Sequence, residues 1–280
     1  MSYLQRGLSK TFSSIKRHKG LFGLITLLQI IFVVSSLWLG AQYLIKILEN
    51  TQGIIGPLEN ANYDSQMIEK GEPFTPDYAL IYHSYQSMLK NITVFASWLA
   101  LLFLVFNGSI WLLSHWMMQD ERSWKTRAKE GAHFFLKAWA STLLLLGPFI
   151  AISYYVLLHF IRISDTFSRI AVILKSLLIA LFVLYYFLLV ALAIAPHCSW
   201  KGFFSAWIRL SIINFRKTVT LFFSMMIVLL MVLAALYAAV EYEKSALLLL
   251  LLGSLSMLVL VVTRLFWIAG IQEIRQETEK

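Results

Sequence analysis

Six stretches of this chain are each long and apolar enough to cross a lipid bilayer. A membrane-spanning helix needs about 20 mainly apolar residues, because the hydrocarbon core is about 30 Å thick and the helix satisfies its own backbone hydrogen bonds. The stretches run from Leu21 to Leu48, Ile92 to Met118, Ala138 to Phe160, Ile170 to Ala195, Val219 to Val240 and Ala246 to Ile271. Only 14% of the residues are charged, against about 25% in soluble domains. The sequence therefore predicts an all-α, polytopic membrane bundle with six transmembrane helices, and it excludes an ordinary soluble protein.

The first stretch also has features of a secretory signal peptide. It follows a basic N-terminal segment, and Gly40-Ala41 could serve as a cleavage site. The hydrophobic part of a signal peptide has only about 7–15 residues, however. The stretch is much longer than that, so we predict that it is a membrane helix.

The basic residues divide unevenly between the two sides of the predicted bundle. Of the 24 lysines and arginines, 17 lie on the side of the termini, together with 6 of the 15 acidic residues. The net charge of +9 therefore divides into +11 on that side and −2 on the other. Short loops with an excess of lysine and arginine remain in the cytoplasm. We predict a protein of a prokaryotic cytoplasmic membrane with both termini in the cytoplasm.

Three basic segments on this side show helical apolar spacing and lead directly into a span. Their apolar stripes are Leu4, Leu8, Phe12 and Ile15; Trp124, Ala128, Ala132, Phe135 and Trp139; and Phe203 or Phe204 with Trp207, Leu210 and Ser211. Such spacing is typical of helices that lie in the membrane interface. We predict three amphipathic interfacial helices, although simple extensions of the membrane helices would give the same pattern.

The amphipathic segments also suggest an internal repeat of one helix followed by a hairpin. Ser123-Trp124-Lys125 recurs as Ser199-Trp200-Lys201, and an Ala-Trp pair follows each of them. The spacing to that pair differs between the two copies, so a strict alignment fails. The pattern therefore leaves threefold repetition open.

We predict that residues 1–280 form a single six-span membrane domain. It has a cytoplasmic amphipathic segment at residues 1–20, an outer loop at residues 49–91 and a cytoplasmic tail at residues 272–280. The outer loop is too short to build a catalytic domain with its own core. Within it, Tyr78 to Lys90 has the pattern of a short helix that continues into the second span.

Several basic residues on the cytoplasmic side are candidate contacts for lipid phosphates. An anionic leaflet attracts each lysine or arginine near its surface by about 1 kcal/mol. The candidates are Lys10, Lys16, Arg17, Lys125, Arg127, Lys201, Arg209 and Arg264. Arg264 lies inside the last span, where its side chain can extend to the interface along its aliphatic stem.

Polar and helix-breaking residues inside the spans are candidates for a cavity or hinge. Gln29 and Asn107 lie within the first and second spans, and Gly147-Pro148 lies near the middle of the third. The proline removes a backbone hydrogen bond and should kink its helix. Helix packing would account for all four residues equally well, because polar side chains commonly bond between membrane helices.

The sequence gives no sign of catalytic or metal chemistry. No acidic residue lies near the middle of a span, and the chain has no nucleophile elbow, P-loop or HExxH motif. His115, His133 and His197 come from separate segments, and His197-Cys198 is an isolated pair without the spacing of a zinc site. We expect no enzyme activity, no cofactor, no metal and no nucleic-acid partner.

The segment from Pro196 to Lys217 carries a family resemblance. Pro196 is followed by Lys201-Gly202, by the run Phe203-Phe204-Ser205-Ala206-Trp207-Ile208-Arg209-Leu210-Ser211, and by Phe215-Arg216-Lys217 before an apolar span. This order resembles uncharacterised prokaryotic six-span proteins related to the membrane domain of glycerophosphoryl diester phosphodiesterases. The acidic residue that usually precedes the glycine is absent here. The resemblance implies the six-span fold for the whole chain and no catalytic residues, because that family's phosphodiesterase activity belongs to a separate domain.

Three functions fit these observations. The first is a non-enzymatic membrane protein that organises lipids or a partner protein, or assists the movement of an amphiphile, with anionic lipids of the cytoplasmic leaflet as its expected partners. A protein partner or a homo-oligomer is compatible with it. The second is a transporter or permease subunit with a cavity at mid-membrane depth. The third, a membrane-embedded enzyme acting on lipid head groups, would need acids or histidines that converge at one interface.

Overall fold

The computed structural model describes residues 2–60, 78–119, 124–160, 166–242 and 245–279, and it describes the backbone alone at 58–60, 124–130, 157–160, 166–170, 197, 246 and 279. All its elements are helical. They are α1 (Tyr3–Arg17), α2 (Lys19–Asn60), α3 (Tyr78–Leu102), a π-helix (Phe103–Asn107), α4 (Gly108–Met118), α5 (Trp124–Phe160), α6 (Thr166–Ile194), a 3₁₀ turn (Ala195–His197), α7 (Trp200–Ile208), a second π-helix (Arg209–Ile213), α8 (Phe215–Glu241) and α9 (Ala246–Glu279).

Six helical segments of the described chain are long and apolar enough to span a membrane. They are Lys19–Pro57, Tyr78–Met118, Gly131–Val156, Ala171–Ile194, Phe215–Glu241 and Leu247–Thr278. The predicted all-α, six-span bundle is confirmed, and the chain is a multi-pass membrane protein. The short helix predicted from Tyr78 to Lys90 is also confirmed, as the first part of α3.

The chain divides into two compact units. The first contains Met1–Leu27 and Gly108–Lys280, and the second contains Leu28–Asn107. The second unit is an antiparallel pair formed by most of α2 with α3 and the first π-helix. The contacts between its helices include Phe32 with Phe106, Tyr43 with Phe95, and Gly53 with Ser84. The pairs advance along one helix as they recede along the other, which is the register of a straight antiparallel hairpin.

The predicted outer loop at residues 49–91 is partly helical. The helix α2 continues through Pro57 to Asn60, and α3 already begins at Tyr78. With 42 residues, α2 is about 60 Å long at about 1.5 Å per residue. It is therefore about twice as long as the hydrocarbon core of a bilayer is thick. The middle of the predicted loop, residues 61–77, lies outside the described residues.

The core of the first unit is concentrated at one end, which we call the terminal end because α1 and the last turns of α9 lie there. Its largest fully buried side chains include Phe134, Ile194, Phe203, Phe222 and Trp267. Toward the opposite end, the helices expose apolar side chains such as those of Leu178, Leu233 and Leu250. Lipid tails solvate such surfaces as well as another apolar side chain would. Tight packing is therefore needed only where polar groups must be paired.

The amphipathic helix α1 packs on α9 through its small residues. The position that a Cβ atom would take on Gly7 lies 3.3 Å from the backbone of Gly270, and Thr11 is fully buried. Leu8 and Phe12, on the predicted apolar stripe, remain exposed. The helix α1 therefore presents one face to the protein and an apolar face to its surroundings.

Two of the three predicted amphipathic helices are separate elements, and the second is not. The helix α1 ends at Arg17, with His18 as its C-cap residue, and α7 begins after the N-cap residue Ser199. The second segment is the first part of α5, which runs without interruption from Trp124 to Phe160. The prediction of a separate interfacial helix there was wrong. The segment contains no proline, serine, aspartate or asparagine to end one helix and start another.

We expect Gly270→Ala to destabilise the protein and Gly253→Ala, in the same helix, to leave its stability nearly unchanged. A Cβ atom on Gly270 would lie 2.5 Å from Cδ2 of Leu221, which is fully buried. Overpacking of this kind costs about 1–3 kcal/mol. A Cβ atom on Gly253 would meet nothing within 4 Å. The measurement is thermal unfolding of both variants in detergent, and equal melting temperatures would contradict the close approach of α8 and α9.

Candidate anion-binding pocket

The end of α6 carries a backbone carbonyl group that the helix itself cannot pair. In an α-helix the carbonyl of Leu192 would accept the N–H of residue 196, but that residue is a proline and has no N–H. The ring nitrogen Nε2 of His115 lies 2.9 Å from the Leu192 oxygen instead. His115 is fully buried, so its contact with α6 is sheltered from water.

Lys137 from α5 bonds to carbonyl groups in the connection between α6 and α7, residues 195–199, which we call the chain reversal. Its Nζ atom donates to the oxygen of Ala195 at 2.9 Å and also to the oxygen of Cys198. The ammonium group lies 5.9 Å from the centre of the Trp200 ring. A lysine that is only 3% exposed can be accommodated here because carbonyl groups at a helix C-terminus attract a cation.

Two tryptophans bond to the carbonyl groups one to two turns earlier in α6. Trp207 of α7 donates its indole N–H to Phe187, and Trp267 of α9 donates to Leu189, each at 2.9 Å. Buried tryptophans normally find such a partner for the indole N–H. These bonds orient α7 and α9 about α6.

The second π-helix joins α7 to the membrane helix α8. Side-chain hydroxyl groups bond to its carbonyls: Tyr186 donates to Ser211 at 3.1 Å, and Thr218 donates to Leu210 at 2.9 Å. A π-helix shifts the backbone bonding pattern by one residue, and Asn214 accordingly donates its N–H to Arg209. The hydroxyl groups hold this irregular turn, which begins at Arg209.

A pocket of about 260 Å³ lies between α7 and the end of α9. It begins at Ser199, whose hydroxyl oxygen accepts the backbone N–H of Gly202 at 3.2 Å and so caps α7. The lining includes three hydroxyl groups, one glycine and two arginines: Ser199, Ser205, Thr278, Gly202, Arg209 and Arg275. Guanidinium and hydroxyl groups facing one cavity, at the start of a helix, are suited to binding an anion.

Arg275 is positioned by the chain reversal that precedes α7. Its Nη1 atom lies 3.5 Å from the Sγ atom of Cys198, whose backbone oxygen accepts the hydrogen bond from Lys137. Arg275 and Thr278 are one helical turn apart on α9 and therefore lie on the same face. Lys137 and Arg275 thus both contact Cys198.

Two acidic residues of α9, Glu273 and Glu277, bind cations of α1 and α8. Glu273 accepts a hydrogen bond from Nε of Arg6 at 2.9 Å, and Glu277 bonds both Arg6 and, at 2.7 Å, Lys217. Hydrogen bonding to Glu273 and then to Glu277 raises the pKa of the Arg6 guanidinium. These carboxylates therefore join α1 to α9 and α8.

The predicted lipid-contact residues have different surroundings in the structure. Arg209 lines the pocket, and Lys201 is exposed on the first turn of α7. Lys10 donates to the side chain of Gln272 at 2.9 Å, while Lys16 and Arg17 are exposed at the end of α1. The side chains of Lys125 and Arg127 lie outside the described residues. Arg264 is half-buried, with its guanidinium carbon 5.6 Å from the centre of the Trp111 ring.

The predicted cavity or hinge residues belong to different parts of the structure. Gln29 is buried, and Asn107 is half-buried at the end of the first π-helix, both in the second unit. Gly147 and Pro148 lie on an exposed face of α5 in the first unit, where a Cβ atom on Gly147 would meet nothing within 4 Å.

From the sequence, we expect the histidines and the single cysteine to form no metal site. Across the residues that the structure describes, no three or more histidine, cysteine, aspartate or glutamate side chains come close enough to hold a metal ion. His133 is exposed, and the side chain of His197 lies outside the described residues.

Sequence reasoning missed Arg275, Thr278 and Lys137. Residues 272–280 were expected to form a tail, whereas α9 remains helical to Glu279. The spacing of Arg275 and Thr278 by one turn was the available signal. Lys137 was counted only as a cytoplasmic charge, and nothing in its sequence context indicates that it bonds to Ala195.

Comparisons of the chain with known protein families, with curated proteins and with solved structures found no match. The resemblance to the membrane domain of glycerophosphoryl diester phosphodiesterases therefore stays a prediction.

We expect Lys137→Met to destabilise the protein, because it removes a buried donor from the carbonyl group of Ala195 and leaves that of Cys198 without the lysine. An unpaired buried acceptor costs about 1–3 kcal/mol. Lys90→Met is the matched control, since Lys90 is exposed in the interior of α3. The measurement is the unfolding midpoint in detergent. A Lys137→Met midpoint equal to that of the control would contradict the anchoring role.

Proposed function

We propose that this protein is a non-enzymatic component of a prokaryotic cytoplasmic membrane that binds and organises anionic lipids at the cytoplasmic leaflet. In this proposal both termini and the terminal end face the cytoplasm. The predicted charge of +11 on that side supports the proposal, because it would attract anionic head groups.

The observation that carries the proposal is the pairing of basic and apolar exposed residues at the terminal end. On α1, exposed Leu8 and Phe12 accompany exposed Lys16. Beside α7, exposed Ile208 and Ile212 flank Arg209. A helix that inserts apolar side chains at the acyl boundary while its lysines and arginines meet phosphates is typical of interfacial lipid binding.

A protein that organises lipids could also organise a partner protein, bind a second copy of itself or assist the movement of an amphiphile. The helices of the second unit expose large apolar residues, including Leu37, Trp38 and Leu44. Lipid or another membrane helix can cover such faces. These roles belong to the same proposal, and lipid binding is the part that the terminal end supports best.

A transporter or permease subunit is the second candidate, and the first π-helix favours it. Short π-helical turns inside α-helices are frequent at functional sites. This one ends at Asn107 in the unit that also buries Gln29. A substrate that protects an Asn107→Cys variant from a water-soluble thiol reagent would favour transport.

The proposed orientation predicts which cysteines a membrane-impermeant thiol reagent can reach. In a Cys198→Ser background, we expect Ser245→Cys, in the turn between α8 and α9, to be labelled in intact cells after removal of any outer envelope. We expect Ser2→Cys to be labelled only after the membrane is permeabilised. The opposite pattern would reverse the orientation and remove the charge argument.

The proposed lipid preference predicts that protein in nanodiscs of mixed lipid retains phosphatidylglycerol more strongly than phosphatidylcholine. Lys16→Gln with Lys201→Gln should weaken this enrichment, and added salt should weaken it further because exposed charges are screened. The matched control, Lys46→Gln with Lys90→Gln, removes the same charge at exposed positions on the predicted outer side. The measurement is native mass spectrometry of the retained lipid. The absence of any preference for anionic lipid would contradict the proposal.

A further inference from the structure

The pocket between α7 and the end of α9 brings two arginines to one cavity, which a generally basic surface does not require. Two arginines and three hydroxyl groups line a single cavity. Loose attraction to an anionic leaflet needs only exposed lysines and arginines. Two guanidinium groups at one cavity instead match one compact group that carries several acceptor oxygens.

The number of donors distinguishes between the two common kinds of phosphate. A phosphate monoester carries about −1.5 to −2 charges near pH 7 and presents three terminal oxygens. A diester, the linkage of most phospholipid head groups, carries a single charge and presents two. Arg209 and Arg275 both line the pocket, and a guanidinium group can donate two hydrogen bonds to one phosphate. The hydroxyl group of Ser205 adds a further donor, whereas the Thr278 hydroxyl donates to the carbonyl oxygen of Ile274 at 2.8 Å.

The volume of the pocket is compatible with a phosphate monoester that keeps part of its hydration. Water occupies about 30 Å³ per molecule in the liquid, so a cavity of about 260 Å³ holds a phosphate group together with several waters. Ordered waters can bridge the remaining distance between donors and phosphate oxygens.

The pocket is held by elements that cannot move independently. Arg209 begins the π-helix whose carbonyl groups bond to Tyr186 and Thr218. Arg275 lies on α9, which Trp267 joins to α6. These bonds hold the helices that carry Arg209 and Arg275, and a preorganised site loses less conformational entropy on binding.

We propose that this pocket binds a phosphate monoester, carried by a lipid head group or by a small water-soluble molecule. Exposed Ile208 and Ile212 beside Arg209 offer an apolar path for acyl chains, which favours the lipid. In its lipid form the inference rests on the proposed function, because the terminal end must then lie against the leaflet. The water-soluble form does not depend on it.

The test measures binding to the full chain in nanodiscs of phosphatidylcholine. The probes are dioleoyl phosphatidic acid as a monoester lipid, dioleoyl phosphatidylglycerol as a diester lipid, and glycerol 3-phosphate as a soluble monoester. We expect phosphatidic acid to bind about tenfold or more tightly than phosphatidylglycerol, as expected when hydrogen bonds to a charged group are gained.

Arg209→Gln and Arg275→Gln should each lower the affinity for phosphatidic acid about tenfold, by the loss of a charge-assisted hydrogen bond. Arg216→Gln is the matched control, because Arg216 is exposed on the next helix and lies outside the pocket lining. Ser205→Leu keeps both arginines and fills the cavity, so it should also abolish the preference. This variant keeps the inference testable if an arginine variant fails to fold.

The outcomes separate the two proposals. An anionic preference that ignores the kind of phosphate and all three pocket substitutions overturns the pocket while the lipid proposal stands. Binding of glycerol 3-phosphate that requires both arginines, without any lipid preference, supports the pocket and overturns the lipid proposal. Binding of neither monoester overturns the pocket inference.

Discussion

The pairing of the carbonyl groups at the end of α6 is the constraint on which the rest of the terminal end depends. An unpaired backbone carbonyl away from water costs about 1–3 kcal/mol, and Pro196 removes one internal donor from this helix. His115 from α4 and Lys137 from α5 supply hydrogen-bond partners in its place. Two membrane helices are thereby attached to a third at one depth. The chain reversal that they hold sets where α7 begins.

The same constraint explains why the first unit packs tightly at one end and exposes apolar side chains at the other. Within the hydrocarbon region, an exposed leucine costs little because lipid surrounds it. Close to the interface, the chain leaves its helices, and each freed carbonyl group needs a donor. The described donors are histidine, lysine, tryptophan, tyrosine and threonine side chains that must approach from neighbouring helices. Their approach creates the core, and the pocket lies at its edge.

The sequence was sufficient to predict the six spans and the helix that begins at Tyr78. These features depend on the length of apolar runs and on local charge. It was insufficient for Arg275, because the tail seemed to begin where the apolar residues ended, although the helix continued. It was also insufficient to predict that the second amphipathic segment is the first part of the long helix α5. Apolar spacing is the same whether a helix lies in the interface or simply extends a span.

By itself, the sequence determined that this chain is an all-α membrane protein with its basic residues gathered toward one side. Hydrophobic length and charge are properties of consecutive residues, and the bilayer selects for them directly. Only the tertiary structure decided which of those basic residues become structural and which line a cavity. Lys137 donates hydrogen bonds to the carbonyl groups of the chain reversal, and Arg6 forms ion pairs with two glutamates of α9. Arg209 and Arg275, 66 positions apart in the numbering, meet at one pocket because α7 and α9 both bond to α6.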